Sequence, residues 1–299
     1  MSTPRAAPAP ERILQRLDWQ VIRRLDGLLQ GDYRTLFRGV GVDFADLREY
    51  QPGDDIRYID WNVTARLQTP YVRQYAEDRE ITAWFLLDLS PSMDFGPLAS
   101  QKGGVLVDVT ATFARLLTRH GNSVGAICYG AGVERVVPAR GGRTQVLRLI
   151  DLLVRRPAPE RAPPTDLAEL LQAATRTIRR RSLVFVVSDF ISLPGWERPL
   201  KLLNQHHEVL AVRLWDPRER ELPDIGPVIM EDAETGEQLY VDTSDRRFRE
   251  RFREAARRRE AAQREAFNVA GVEAMDLSTE EDMVRAIVRF ATLRQQRRH

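Results

Sequence analysis

The stretch Ile81-Thr82-Ala83-Trp84-Phe85-Leu86-Leu87-Asp88-Leu89-Ser90-Pro91-Ser92 decides how this chain is read. Its first seven residues form a nearly continuous apolar run. Such a run fits a strand buried on both faces better than a half-exposed strand, whose apolar and polar residues would alternate. The run then stops at Asp88, and the next positions supply two serines. In a doubly wound sheet the residues just past the carboxyl end of a strand are the ones that meet ligands.

Working outward, the same grammar repeats downstream. Helical periods at 105–117, 146–154, 166–178 and 197–203 alternate with apolar strand-like runs at 124–129, 133–137, 183–187 and 209–214. A hairpin is expected over 227–241, a long helix from Asp245, a strand at 272–275 and a last helix from Glu280. Apolar strands alternating with amphipathic helices predict an α/β fold: a doubly wound, mostly parallel sheet with helices on both faces. Upstream, Ile13, Leu14, Leu17, Val21, Ile22, Leu25 and Leu28 recur at helical spacing. After Gly31 come the turn Pro52-Gly53-Asp54-Asp55 and two extended-looking runs, 56–61 and 70–76. The expected organisation is a disordered tail over 1–10, an N-terminal helix and small strand module over 11–80, and the α/β domain over 81–299 with a hairpin insertion near 217–244.

Composition narrows the chemistry. The 299 residues carry 45 Lys plus Arg against 43 Asp plus Glu, so the net charge of +2 gives no reason to invoke a polyanionic partner. Only Lys102 and Lys201 are lysines; every other basic side chain but histidine is Arg. The single cysteine, Cys128, lies inside an apolar run and reads as core. With no Cys/His array, zinc and iron–sulfur sites are excluded. No stretch has the apolar length of a membrane span or the apolar core of a signal peptide, so the expected location is cytoplasmic.

The polar residues beyond the strand ends are all oxygen donors: Asp88, Ser90 and Ser92 after the first run, Thr165 before the helix at 166, and Asp189 after the run at 183. Hard divalent cations choose oxygen, and Mg²⁺ takes about six ligands while keeping several waters. Neutral hydroxyls in direct contact, with carboxylates acting through water, leave such an ion ready to accept an acidic group from outside. This Asp-x-Ser-x-Ser, Thr, Asp set resembles the metal-ion-dependent adhesion site of von Willebrand factor A-like domains. Arg48-Glu49-Tyr50-Gln51-Pro52-Gly53-Asp54-Asp55-Ile56-Arg57-Tyr58-Ile59-Asp60-Trp61, followed by Ala65-Arg66, is similar to the signature of a bacterial family, domain of unknown function fifty-eight.

The resemblance implies a von Willebrand A-like fold holding Mg²⁺ or Mn²⁺. Ser90, Ser92 and Thr165 would be its hydroxyl ligands, and Asp88 and Asp189 would hold metal-bound waters. It also implies a non-enzymatic interaction protein that recognises a partner Asp or Glu and works as adaptor or co-chaperone with a MoxR-type AAA+ ATPase. The loop before Thr165 departs from the family, where Gly is frequent; here it reads Arg161-Ala162-Pro163-Pro164, which predicts a stiffer segment.

Other chemistries fit less well. An aspartyl-nucleophile phosphatase needs a second Asp where Ser90 stands. Gly121-Asn122-Ser123-Val124-Gly125 matches a nucleophile elbow in letters, but its helix precedes and its strand follows. Thr165 could also cap the helix after it, and a metal-dependent hydrolase stays open. So does nucleic-acid binding by the Arg-rich helix 246–265, although pairs such as Glu254 with Arg258 support a solvated face opposite a stripe of Phe248, Phe252, Ala255, Ala256 and Ala262.

Overall fold

The computed structural model describes residues 9–28, 47–51, 54, 56, 59, 61–67, 69–73, 81–95, 101–156 and 162–296. The chain opens with helix α1 (Pro10–Leu17), a π-helical turn (Asp18–Ile22) and α2 (Arg23–Leu28). Strand β1 (Leu47–Glu49) follows, then α3 (Trp61–Leu67), then β2 (Tyr71–Arg73), which pairs antiparallel with β1. Next come β3 (Thr82–Asp88), a 3-10 turn (Pro91–Asp94), α4 (Lys102–Arg119), β4 (Ser123–Tyr129), β5 (Val133–Arg140) and α5 (Arg143–Val154). The chain continues with α6 (Leu167–Thr177), β6 (Leu183–Ser188), α7 (Glu197–His206), β7 (Glu208–Trp215) and a 3-10 turn (Pro217–Glu219). It ends with the hairpin β8 (Pro227–Glu231) and β9 (Gln238–Asp242), α8 (Arg246–Ala270), β10 (Glu273–Ser278) and α9 (Met283–Gln296).

Six strands form the main sheet in the order β10-β7-β6-β3-β4-β5. All are parallel except β5, which turns back antiparallel on β4. The expected α/β class, mostly parallel with helices on both faces, is therefore the observed one. Apolar residues alternate between two cores. Phe85 and Leu87 of β3, Phe185 and Val187 of β6, and Ala126 and Cys128 of β4 face the layer of α1, α4, α5 and α9. Leu86, Val184, Val186, Ile127 and Tyr129 face the layer of α6, α7 and α8. Each strand is apolar on both sides because both sides are covered. Ile13, Leu14, Leu17, Val21, Ile22 and Leu25 join the first core, so the opening helices belong to that layer.

Among the described residues of the run 56–61 the expected strand is not seen: Ile56 is in a 3-10 turn, Ile59 makes an isolated bridge, and Trp61 begins helix α3. Ile56 and Ile59 are three apart, a spacing that suits a helical turn, and Ala65 and Arg66 are good helix formers. Of the run 70–76, β2 covers 71–73 and residues 74–76 lie outside the described residues, as do the tail 1–8 and segment 157–161.

At Gly125 in β4, a Cβ would lie 2.9 Å from the Val137 carbonyl oxygen and 3.0 Å from both Ala139 N and Trp84 Cε3. Two of these neighbours are backbone and cannot swing away. Gly125→Ala is therefore expected to cost about 1–3 kcal/mol by overpacking, read as a lower urea midpoint with unchanged slope.

Candidate divalent-cation site at the strand crossover

After β3 the chain moves to β4 and β5 on one side, then returns through α6 to place β6 on the other side of β3. The carboxyl ends of β3 and β6 thus flank the point where strand order reverses, the crevice in which such sheets bind ligands. Asp88 is the last residue of β3 and is fully buried. Its Oδ1 accepts from the Ser90 N–H at 3.0 Å and its Oδ2 from the Ser188 hydroxyl at 2.6 Å. The Ser90 and Ser92 hydroxyl oxygens lie 3.0 Å apart, with Pro91 starting the tight turn that puts both on one side. Burial first, and the neighbouring Asp189 carboxylate second, push the Asp88 carboxyl up to about 6. Nearby positive charge would favour its ionised form.

Asp189 follows β6, and its Oδ1 accepts from the Ile191 N–H at 2.9 Å. The next residue, Phe190, has φ of 57°, the left-handed region that a bulky side chain adopts only when held there. Two things hold it. Its ring packs edge-on against Phe267, centroids 4.8 Å apart, and against Trp196 at 5.4 Å. Gln263 of α8 donates to the carbonyls of both Asp189 (3.1 Å) and Phe190 (2.9 Å). This corrects the expected apolar stripe of α8: Ala255 and Ala262 are exposed, whereas the polar Gln263 is buried. The reason is that Gln263 satisfies the two carbonyls of the strained turn.

Thr165 is buried at the entrance to α6 but does not cap it. Asp166 does, accepting from the Ala168 N–H at 2.9 Å. The Thr165 N–H donates to Glu234 Oε2 at 3.0 Å and its hydroxyl donates to Glu234 Oε1. The structure therefore gathers Asp88, Ser90, Ser92 and Ser188 around the end of β3 and places Asp189 close enough to act on Asp88. It turns Thr165 toward a glutamate from the hairpin.

The sequence reading missed the cation already in this crevice. Lys102, the first residue of α4, is completely buried, and its Nζ lies 2.6 Å from Asp189 Oδ2 and 2.5 Å from Glu219 Oε1. Burial alone would pull its pKa down, but the Asp189 and Glu219 carboxylates outweigh that and raise it, so Lys102 remains an ammonium ion. Lys102 pairs with two carboxylates, Asp189 and Glu219, and Asp88 lies close enough to Asp189 to feel its charge, so when all three are ionised the carboxylates outnumber the ammonium by two. The one available signal was compositional: one of only two lysines in a chain that otherwise uses Arg stands here.

An all-oxygen donor set with that excess suits a hard divalent ion. Among the described residues no group of three or more His, Cys, Asp or Glu could hold a metal, so an ion here would depend on the serine and threonine hydroxyls. Elsewhere, the Arg-rich α8 is laced with ion pairs: Arg246 with Glu250, Arg258 with Glu254, Arg249 with Asp224, and Arg253 with Glu221. Ser123 starts β4 just after α4, the reverse of a nucleophile elbow. Burial pushes the Cys128 thiol up to about 12, as befits a core residue.

A central β3 flanked by β4 and β6, helices on both faces and a polar loop after β3 define a von Willebrand A-like α/β domain. The solved structure of an aerotolerance-related membrane protein from Bacteroides fragilis has this fold in common with it. That structure gives a TM-score of 0.51 at 12% identity, over 72% of this chain and 99% of that one. The von Willebrand A domain of SpRpn10 is also similar, with a TM-score of 0.40 and 12% identity over 70% of this chain and 94% of that one. The chain itself belongs to the family described as "Protein of unknown function DUF58", whose profile matches residues 46–262. An uncharacterized protein of Mycobacterium tuberculosis is 39% identical over 287 residues, 94% of this chain and 88% of that relative. A second, from Mycobacterium avium, is 37% identical over 158 residues, 53% of this chain and 93% of that relative. Among the described residues no helix is long and apolar enough to cross a membrane.

Proposed function

We propose that this protein is a non-enzymatic protein–protein interaction module that binds Mg²⁺ or Mn²⁺ in the crevice and recognises an Asp or Glu of a partner. The observation that carries the reading is the buried excess of carboxylate beside a pair of serine hydroxyls at the crossover. Ser90, Ser92 and Thr165 are the hydroxyl ligands in this reading, and Asp88 and Asp189 hold water. A bound divalent ion would supply a Lewis-acid centre with room for one more oxygen ligand from outside.

This chain's own residues set the geometry of recognition. The Ser90 N–H and Ser188 hydroxyl fix the Asp88 carboxylate, and the Gln263 clamp holds the turn that aims Asp189. Lys102 keeps part of the negative charge compensated when no ion is present. As a charged ammonium it has no lone pair with which to activate water itself. In the family resemblance the partner machinery is a MoxR-type AAA+ ATPase in the cytoplasm, which this protein would serve as adaptor or co-chaperone.

The test is thermal unfolding of wild type and Asp88→Ala in EDTA, Mg²⁺, Mn²⁺ and Ca²⁺. An ion at about 100 times its dissociation constant adds roughly 2.7 kcal/mol, a rise of several degrees for a protein of this size. The expected result is a rise in wild type with Mg²⁺ or Mn²⁺ and none in Asp88→Ala. A wild type that neither shifts nor takes up Mn²⁺ in direct titration would remove the metal-bridged mechanism.

A further inference from the structure

One acidic side chain already stands at Thr165, and it comes from this chain. The turn between β8 and β9 is built to present it. Asp232 Oδ1 accepts from the Glu234 N–H (3.1 Å), the Thr235 N–H (2.7 Å) and the Thr235 hydroxyl (2.9 Å). The Asp232 N–H donates to the Glu237 carbonyl at 2.9 Å, and the Gly236 N–H to the Asp232 carbonyl at 2.8 Å. Gly236 supplies the positive φ of 73° that closes the turn. So held, the turn directs Glu234 to the loop before α6. Both carboxylate oxygens accept from Thr165, and the Glu234 carbonyl accepts from the Ala162 N–H at 3.3 Å.

The rest of the hairpin is lightly packed. Four of the five β9 residues are exposed, and β8 alternates between exposed and half-buried. Burial is concentrated at the base, in Val241 and in Thr243, whose hydroxyl donates to the Gly226 carbonyl at 2.7 Å. A two-stranded ribbon of this kind is marginally stable by itself. This one is fastened at its base and again at its tip, on the residue assigned as a metal ligand.

We propose that Glu234 is the resident acidic ligand of the site: it occupies from within the chain the position that a partner's Asp or Glu takes. Partner and hairpin tip then compete for the same place, and the hairpin must lift off Thr165 before an external carboxylate enters. The inference rests on the metal-bridged reading of the site.

The test uses the full chain with Mn²⁺ as the probe, titrated by the electron paramagnetic resonance of the free ion. Wild type, Glu234→Ala and the control Glu231→Gln, an exposed carboxylate on the same hairpin, are compared. Hydrogen exchange at Thr165 and residues 227–242 is followed in parallel, with unfolding in EDTA as the check on folding. Glu234→Ala is expected to bind Mn²⁺ about ten- to a hundredfold more weakly, a range typical for loss of a group supporting a metal site. It is also expected to exchange faster at Thr165 and the hairpin, and to recover Mn²⁺ affinity when millimolar acetate supplies the missing carboxylate. Glu231→Gln should match wild type. Equal or tighter Mn²⁺ binding by Glu234→Ala overturns the role of Glu234 and leaves the metal site standing. Absence of Mn²⁺ binding in wild type overturns both.

Discussion

Lys102→Met will destabilise the ion-free protein by about 3–5 kcal/mol, read as a loss of unfolding free energy in urea with EDTA present. The magnitude follows from what the substitution leaves behind. Asp189 and Glu219 have side-chain exposures of 1% and 13%, so neither can turn to water for solvation once the ammonium is gone. Methionine fills much the same volume, which keeps a cavity from being the cause. Lys102→Arg will not restore stability. The site holds a compact point charge between two carboxylates with the Phe95 ring 5.7 Å away, and a planar guanidinium carries five donors that need partners of their own. The same Lys102→Met protein should bind Mn²⁺ more tightly than wild type, since Asp189 and Glu219 then lose the cation that pairs with them. A loss below about 1 kcal/mol with unchanged Mn²⁺ affinity would show that Lys102 does not hold the carboxylates together.

Phe185→Ala should cost a comparable amount, about 3–5 kcal/mol, for a different reason. Phe185 sits in the middle of β6 with no exposure, stacked on Phe85 at 4.9 Å and 12° and on Phe113 at 5.1 Å. Phe85 and Phe185 are also paired across neighbouring central strands, so the backbone on both sides is fixed by ladder hydrogen bonds and the void cannot collapse. The urea midpoint should fall with the slope unchanged. The Mg²⁺-dependent gain in stability should survive in this variant and vanish in Asp88→Ala, which separates packing from ligation.

What the sequence revealed and what it concealed divide along physical lines. The run 81–87 was legible because a strand covered on both faces is almost free of polar residues, and Asp88, Ser90, Ser92 and Asp189 were legible as oxygen donors because they sit directly after such runs. Lys102 was hidden. It lies at a helix start, and its pairing with Asp189 and Glu219 spans 87 and 117 residues, which only the strand order brings together. Glu234 was hidden for the same reason, 69 residues from Thr165 in a loop with no apolar signal. Gln263 looked like one more polar residue on a charged helix; its function lies in two carbonyls of a distant turn. The segment 56–61, whose described residues lie outside any extended strand, shows the limit of short windows, where two isoleucines three apart satisfy more than one pattern.

The position of β3 in the sheet also bears on how the molecule is made. This first strand of the main sheet lies at its centre, and the Ser188 hydroxyl that fixes Asp88 is 100 residues further along the chain. On the ribosome, Asp88, Ser90 and Ser92 emerge long before β6, and Lys102 waits for Glu219 from beyond β7. The crevice therefore rests on non-local contacts, which can close only after the later strands have been made. An ion bound there would not nucleate folding; it would mark chains in which both halves of the sheet have already closed around the first strand.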